Sequence, residues 1–104
     1  MKSIPEILAE ELGQKLEYVQ NVVNLMDEGN TIPFIARYRK EQHGAMDDTT
    51  LRTLETRLQY LRNLEERRAA VKKSIVDQGK LTEDLSAAID GAATLAEVED
   101  LYRP

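Results

Sequence analysis

Cysteine and tryptophan are absent from these 104 residues, and aromatic mass is limited to one phenylalanine and four tyrosines. Without thiols there can be no disulfide, no thiolate metal ligand and no thiol nucleophile. That composition suits a reducing compartment, and the cytoplasm is the expected location. With so few rings, a core must be assembled from Leu, Ile, Val and Ala, which favours aliphatic helix packing. The five glycines stand singly, so phosphate-loop and dinucleotide-binding fingerprints are missing. Acids interrupt the opening stretch at Glu6, Glu10 and Glu11, so neither a signal peptide nor a membrane span is expected, and no membrane partner.

What is present is 41% hydrophobic and 32% charged side chain, the balance of one mainly helical domain. The net charge of −5 is unevenly distributed. Residues 1–30 carry two basic and six acidic side chains, residues 31–73 ten and six, and residues 74–104 two and seven. A basic middle (+4) therefore lies between acidic ends (−4 and −5) that would repel phosphate unless they face away from it.

Apolar spacing predicts an all-α chain, a multi-helix array with a helix-turn-helix-like corner and one long helix. Ser3 and Glu6 form a capping box for a first helix with Ile4, Ile7, Leu8 and Leu12 on its apolar face, ended by Gly13. A second helix is expected from about Gln14 to Glu28, buried through Leu16, Val19, Val23 and Met26 and widened by Tyr18, Val22 and Leu25. Gly29-Asn30 stops it, and a short third helix spans about Ile32 to Glu41.

Asp47 or Asp48 then caps a helix of about 32 residues, roughly 48 Å at 1.5 Å per residue. Its apolar positions Leu51, Leu54, Leu58, Leu61, Leu64, Val71 and Ile75 recur near 3.5 residues. On a straight helix such a seam drifts by roughly 20° per heptad, so the two halves should meet different partners. Gly79 caps it. Thr82 starts a helix that buries Leu85, Ala88, Ile89 and Ala92, and a Thr94/Glu97 capping box starts a last one with Leu95, Val98, Leu101 and Tyr102 apolar.

No repeat or flexible linker divides the chain. Residues 1–104 read as one helical module, with 1–45 the helix-turn-helix-like part and 47–104 the long helix plus two short ones. It stops just after an amphipathic helix, as a piece of a longer protein would.

Catalytic chemistry has little to work with, and neither an enzyme nor a cofactor is expected. His43, the single histidine, lies in an expected loop near Asp47 and Asp48. One imidazole and two loop carboxylates do not fix a coordination geometry, so the reading is a solvated loop residue and no metal. Glu10-Glu11 and Glu65-Glu66 are neighbours 100° apart on helices and cannot share a reacting atom. Ser3, Ser74 and Ser86 lack a base. The basic cluster Arg62, Arg67, Arg68, Lys72 and Lys73 encircles the long helix among Glu65 and Glu66, with i, i+4 pairing of Arg62 with Glu66 and i, i+3 pairing of Glu65 with Arg68. That is the pattern of a solvated or salt-bridged helix, not of a groove-facing stripe.

The most constrained block is Thr31-Ile32-Pro33-Phe34-Ile35-Ala36-Arg37-Tyr38-Arg39-Lys40-Glu41-Gln42-His43-Gly44. Thr31 can cap a helix, Pro33 fits its first turn, Phe34, Ile35 and Tyr38 share a face, and Gly44 can end the unit. Helices two and three have helix-turn-helix proportions, and Arg37, Arg39 and Lys40 would lie on the second of them, in reach of phosphates or base edges.

Ile32 to Glu41 resembles the signature near the N-terminus of the Tex family of bacterial transcription accessory proteins. The similarity continues at Leu51-Arg52, at Leu58 to Arg67, at Ile75 to Leu81 and at Leu95 to Pro104. His43, Ala45 and Met46 stand where the family pattern has Thr, Gly and Leu. The resemblance implies the N-terminal helical region of a longer protein containing an RNase-H-like domain, a helix-hairpin-helix segment and a C-terminal OB-type RNA-binding domain. It also implies nucleic acid (RNA or DNA) as a partner, together with the remaining domains of the same protein and the transcription machinery.

Two functional readings follow. In one, the module contributes to nucleic-acid binding and the regulation of transcription through Arg37, Arg39 and Lys40. In the other it is a structural clamp that packs its long helix against the remaining domains, with Ile32, Phe34, Ile35 and Tyr38 at an interface.

Overall fold

The structure is a computed structural model and describes residues 2–103. Pro104, where the Tex resemblance closes, lies outside the described residues. Among these there are seven helices and no strand: α1 (Ile4–Leu12), α2 (Leu16–Asp27), α3 (Ile32–Tyr38), α4 (Lys40–His43), α5 (Asp48–Asp77), α6 (Glu83–Gly91) and α7 (Leu95–Tyr102). The chain is all-α, as its periodicity implies. It forms two compact units, Met1–Gln59 and Tyr60–Pro104, and the boundary falls inside α5. No helix among the described residues is long and apolar enough to cross a membrane.

In the first unit α1 packs on α2, and α2 packs on α3 and α4. The Ser3 box forms: the Glu6 N–H donates to Ser3 Oγ and the Ser3 N–H donates to Glu6 Oε1. Hydrogen bonding to the Ser3 backbone N–H first, and to the Ser3 hydroxyl second, holds the Glu6 carboxyl below the usual 4.5. Asp47, not Asp48, caps α5, since its Oδ1 accepts the Thr50 N–H at 2.7 Å. Leu8, Val19, Val22, Ile35, Leu51 and Leu54 are fully buried in this unit, each worth roughly 1.5–3 kcal/mol relative to exposure. Leu16 departs from its expected place in the α2 stripe and is 47% exposed, because at the first position of the helix it precedes the packed turns.

In the second unit the later part of α5 contributes Leu64, Val71 and Ile75 to a core completed by Ile89, Ala92 and Val98. The α5 apolar run is buried from Leu51 to Ile75 as its spacing predicts. Thr82 and Thr94 cap α6 and α7. The return bond of the Thr94 box is displaced by one residue, because Glu97 accepts the Ala93 N–H at 2.8 Å. Ala88, expected inside, is exposed, whereas Ala92 is buried.

Two expectations around residue 40 are corrected. The third helix does not run to Glu41. It ends at Tyr38, Arg39 leaves the helical region (φ −127°, ψ 36°), and α4 starts afresh. Nor is His43 a solvated loop residue: only 2% exposed, it accepts the Met46 N–H at Nδ1 (2.9 Å) and lies 3.4 Å from the Ala36 carbonyl through Nε2. The break at Arg39 permits this arrangement, since a continuous helix would carry residue 43 onward along the α3 axis instead of back beneath Ala36. A buried imidazole with both nitrogens engaged satisfies its own polarity and ties α3 to the start of α5.

Candidate nucleic-acid interface

The corner that carries the basic triplet is built by local rules. Gly29 at φ +95° ends α2 in a Schellman turn, its N–H reaching the Met26 carbonyl at 2.9 Å while the Asn30 N–H reaches that of Leu25 at 3.1 Å. Asn30 Nδ2 donates to the same Leu25 carbonyl at 2.9 Å, locking the exit. Thr31 then caps α3 by accepting the Phe34 N–H, a bond worth about 1 kcal/mol. The far end is held by a close approach. Gly44 lies at φ +63° with the Tyr18 ring directly over it, and a Cβ there would fall 2.3 Å from that ring. Asn21 Nδ2 reinforces the contact by donating to the Gln42 carbonyl at 3.1 Å.

Within this frame the block divides. Ile32 (8% exposed) and Ile35 (fully buried) belong to the unit's own core. Phe34 is half-buried and Tyr38 is 53% exposed, and their ring centroids are 5.2 Å apart with planes tilted by 47°. A guanidinium flanks each ring: Arg37 lies 5.3 Å from the Tyr38 centroid and Arg39 5.0 Å from that of Phe34. The order Arg37, Tyr38, Phe34, Arg39 is thus a pair of adjoining rings with a cation at each end, each cation–ring contact worth about 0.5–1 kcal/mol at such exposure. Arg39 also donates from Nη1 to the Tyr38 carbonyl at 3.0 Å, so it is half-engaged in the corner. Lys40 is exposed. Among the described residues none of these three cations enters an ion pair.

The second basic cluster is arranged differently. Arg67 grips Glu99 through Nε and, at 3.0 Å, Nη2, and its guanidinium lies 5.5 Å from the Tyr102 ring. Arg68 does not pair with Glu65. It donates to the Ala92 carbonyl through Nε at 3.1 Å and through Nη2. Lys72 bridges both Asp90 oxygens at 3.0 and 3.2 Å. Tyr60 and Tyr102 also take structural roles, the former accepting the Leu95 N–H at 3.1 Å and the latter sharing a 2.7 Å hydrogen bond with Ser74. The Arg67 hydrogen bonds hold the Glu99 carboxyl below its usual range, and Arg57 does the same to Glu11 in the first unit. Among the described residues no three His, Cys, Asp or Glu side chains converge as a metal site would require.

The aromatic–guanidinium chain was not legible as a unit in the sequence. Its only signal was the i, i+4 spacing of Phe34 and Tyr38 with arginines beside them, and spacing alone cannot say which rings face outward.

Comparison with known proteins matches residues 2–76 to the Tex-like protein N-terminal domain. Across 102 residues, 98% of the chain, it is 59% identical to Protein YhgF of Escherichia coli and 53% identical to the transcriptional accessory protein Tex of Neisseria gonorrhoeae. It is also 31% identical over 99 residues, 95% of the chain, to the human S1 RNA-binding domain-containing protein 1. The chain spans 13%, 14% and 10% of the lengths of these three relatives. With one family model covering residues 2–76 and such identity over nearly its whole length, this chain belongs to the Tex-like N-terminal domain family.

Proposed function

We propose that this module contributes to nucleic-acid binding in a Tex-like transcription accessory protein, and so to the regulation of transcription, with the α2–turn–α3 corner as its helix-turn-helix-like contact. It is a binding module and not an enzyme. The observation that carries the reading is the contrast in charge use: Arg37, Arg39 and Lys40 stand together without ion pairs, whereas Arg67, Arg68 and Lys72 are held by acceptors. Unneutralised cations grouped on one corner are what phosphate binding requires. The printed names of two relatives, one a transcriptional accessory protein and the other an S1 RNA-binding domain-containing protein, point the same way. Because the acidic remainder of the chain opposes a polyanion, the affinity of the module alone should be weak and strongly salt-dependent.

The second reading is the clamp, favoured by the outward ring surface of Tyr38 and Phe34 and by the small share of each relative's length that the chain covers. There the long helix packs against the remaining domains, with the corner at an interface. Titration of labelled RNA and duplex DNA at several salt concentrations, with Arg37→Ala/Lys40→Ala alongside, separates the two. Binding that weakens steeply with salt and is abolished by the double substitution supports direct contact. Absence of binding to this chain, with binding recovered in a full-length relative, supports the clamp.

A further inference from the structure

We infer that the α3 corner takes single-stranded nucleic acid by base stacking on Tyr38 and Phe34, with Arg37 and Lys40 on the flanking phosphates, and not a duplex groove. This rests on the nucleic-acid reading above and specifies its ligand. Three observations carry it. First, α3 has seven residues, about 10 Å of helix, and its leading end offers nothing to read a base edge: the Thr31 hydroxyl accepts the Phe34 N–H, Ile32 is buried, and Pro33 has no N–H. Helices that read a major groove do so with their N-terminal residues, whereas the cations here are at the C-terminal end.

Second, the exposed surface of that end is aromatic. Tyr38 presents more than half its area beside Phe34 at 5.2 Å, with one guanidinium against each ring. Nucleobases stack on such rings and on arginine planes without regard to sequence, while phosphates find the adjacent charge. Third, Arg37, Arg39 and Lys40 are grouped within four positions and, among the described residues, enter no ion pair, although the chain as a whole is acidic. A strand of two or three nucleotides matches the extent of this corner, whereas a duplex would bring a second phosphate backbone to a corner that groups three cations.

The test uses the 104-residue chain at low salt with fluorescent 12-mers of oligo(U) and oligo(dT), a duplex of the same length and an abasic 12-mer. The single strands should bind more tightly than the duplex, and the abasic strand should bind weakly. Tyr38→Ala should weaken single-strand binding roughly 5- to 100-fold with the salt slope unchanged, which is the signature of a lost stacking contact. Arg37→Ala/Lys40→Ala should instead flatten the slope. Since the chain lacks tryptophan, Tyr38→Trp supplies a single reporter, and it should retain binding and be quenched by the base-containing strands but not by the abasic one.

Equal binding of duplex, abasic and single strands, with Tyr38→Ala silent and Arg37→Ala/Lys40→Ala damaging, would overturn stacking and leave the nucleic-acid reading standing. No binding of any oligonucleotide would overturn both. Preference for RNA over DNA among the stacked strands would support the inference and add a contact to the 2′-hydroxyl.

Discussion

In the unit that ends at Gln59, Arg37 of α3 and Arg39 just after it lie against rings and enter no ion pair among the described residues. In the unit that begins at Tyr60, Arg67, Arg68 and Lys72 of α5 are each bound to an acceptor, at Glu99, Ala92 and Asp90. Both regions are comparably rich in basic residues, so composition does not distinguish a ligand-facing cluster from a structural one. The distinction is whether the fold provides an acceptor. Around α5 the last two helices provide three, and around α3 only the Tyr38 carbonyl takes part of Arg39. The first unit holds its corner by shape instead, through Gly44 under Tyr18 and His43 under Ala36.

That contrast can be broken most severely at Gly44. Gly44→Ala drives a methyl into the Tyr18 ring at a left-handed backbone position, and should destabilise the first unit by about 3 kcal/mol, combining overpacking with backbone strain. Gly79→Ala, also at positive φ but with open space around it, should cost only about 1 kcal/mol. Urea melts followed by circular dichroism check both, and equal losses would show that the Tyr18 contact carries nothing.

Next in size is Arg68→Ala, which leaves the Ala92 carbonyl without its donor and should cost about 1–2 kcal/mol with no effect on oligonucleotide binding. Arg37→Ala should show the reverse pattern, changing stability by less than about 0.5 kcal/mol while weakening binding. Should Arg68→Ala weaken binding as strongly as Arg37→Ala, the assignment of the two clusters fails.

The turn between α4 and α5 offers a smaller and stabilising change. Ala45 stands at φ +64°, where the family pattern has glycine. Ala45→Gly should therefore stabilise by up to about 1 kcal/mol, with part of the gain offset by the greater freedom of the unfolded chain. A lowered urea midpoint would contradict this.

Acid should act on both units. Glu11 and Glu99 titrate below their ordinary 4.5 because Arg57 and Arg67 hydrogen-bond them, and Asp47 titrates below 3.8 because of Thr50. A carboxyl lowered in the folded state contributes stability that is complete above its unfolded value and is lost as pH falls through the folded one. The melting temperature should thus hold steady near neutrality and decline below about pH 4.5, less steeply in Glu11→Gln, whose ion pair is already gone. Half-exposed pairs of this kind contribute modestly, so this is the smallest effect.

Much of the helical framework was legible in the residues. The caps at Ser3, Thr31, Thr82 and Thr94, the glycine stop at Gly29 and the α5 seam depend on neighbours within four positions, and each appears where local spacing puts it. The misreadings cluster where distant residues decide. His43 looked like a loop residue because its partners Ala36 and Met46 are brought to it by a break at Arg39 that no periodicity announces. The candidate corner was legible as a basic block, but not as a ring chain, and Ile32 and Ile35 could not be separated from Phe34 and Tyr38 by period alone.

By itself the sequence determined an all-helical chain, the positions of its helix ends and the buried seam of its longest helix, because hydrogen bonding and apolar repeat along a helix are short-range. Only tertiary structure decided which cations find acceptors, which ring of the Ile32–Tyr38 segment faces outward and where the lone imidazole resides. Those outcomes depend on side chains separated by up to 46 positions, as Arg57 and Glu11 are, meeting at hydrogen-bond distance.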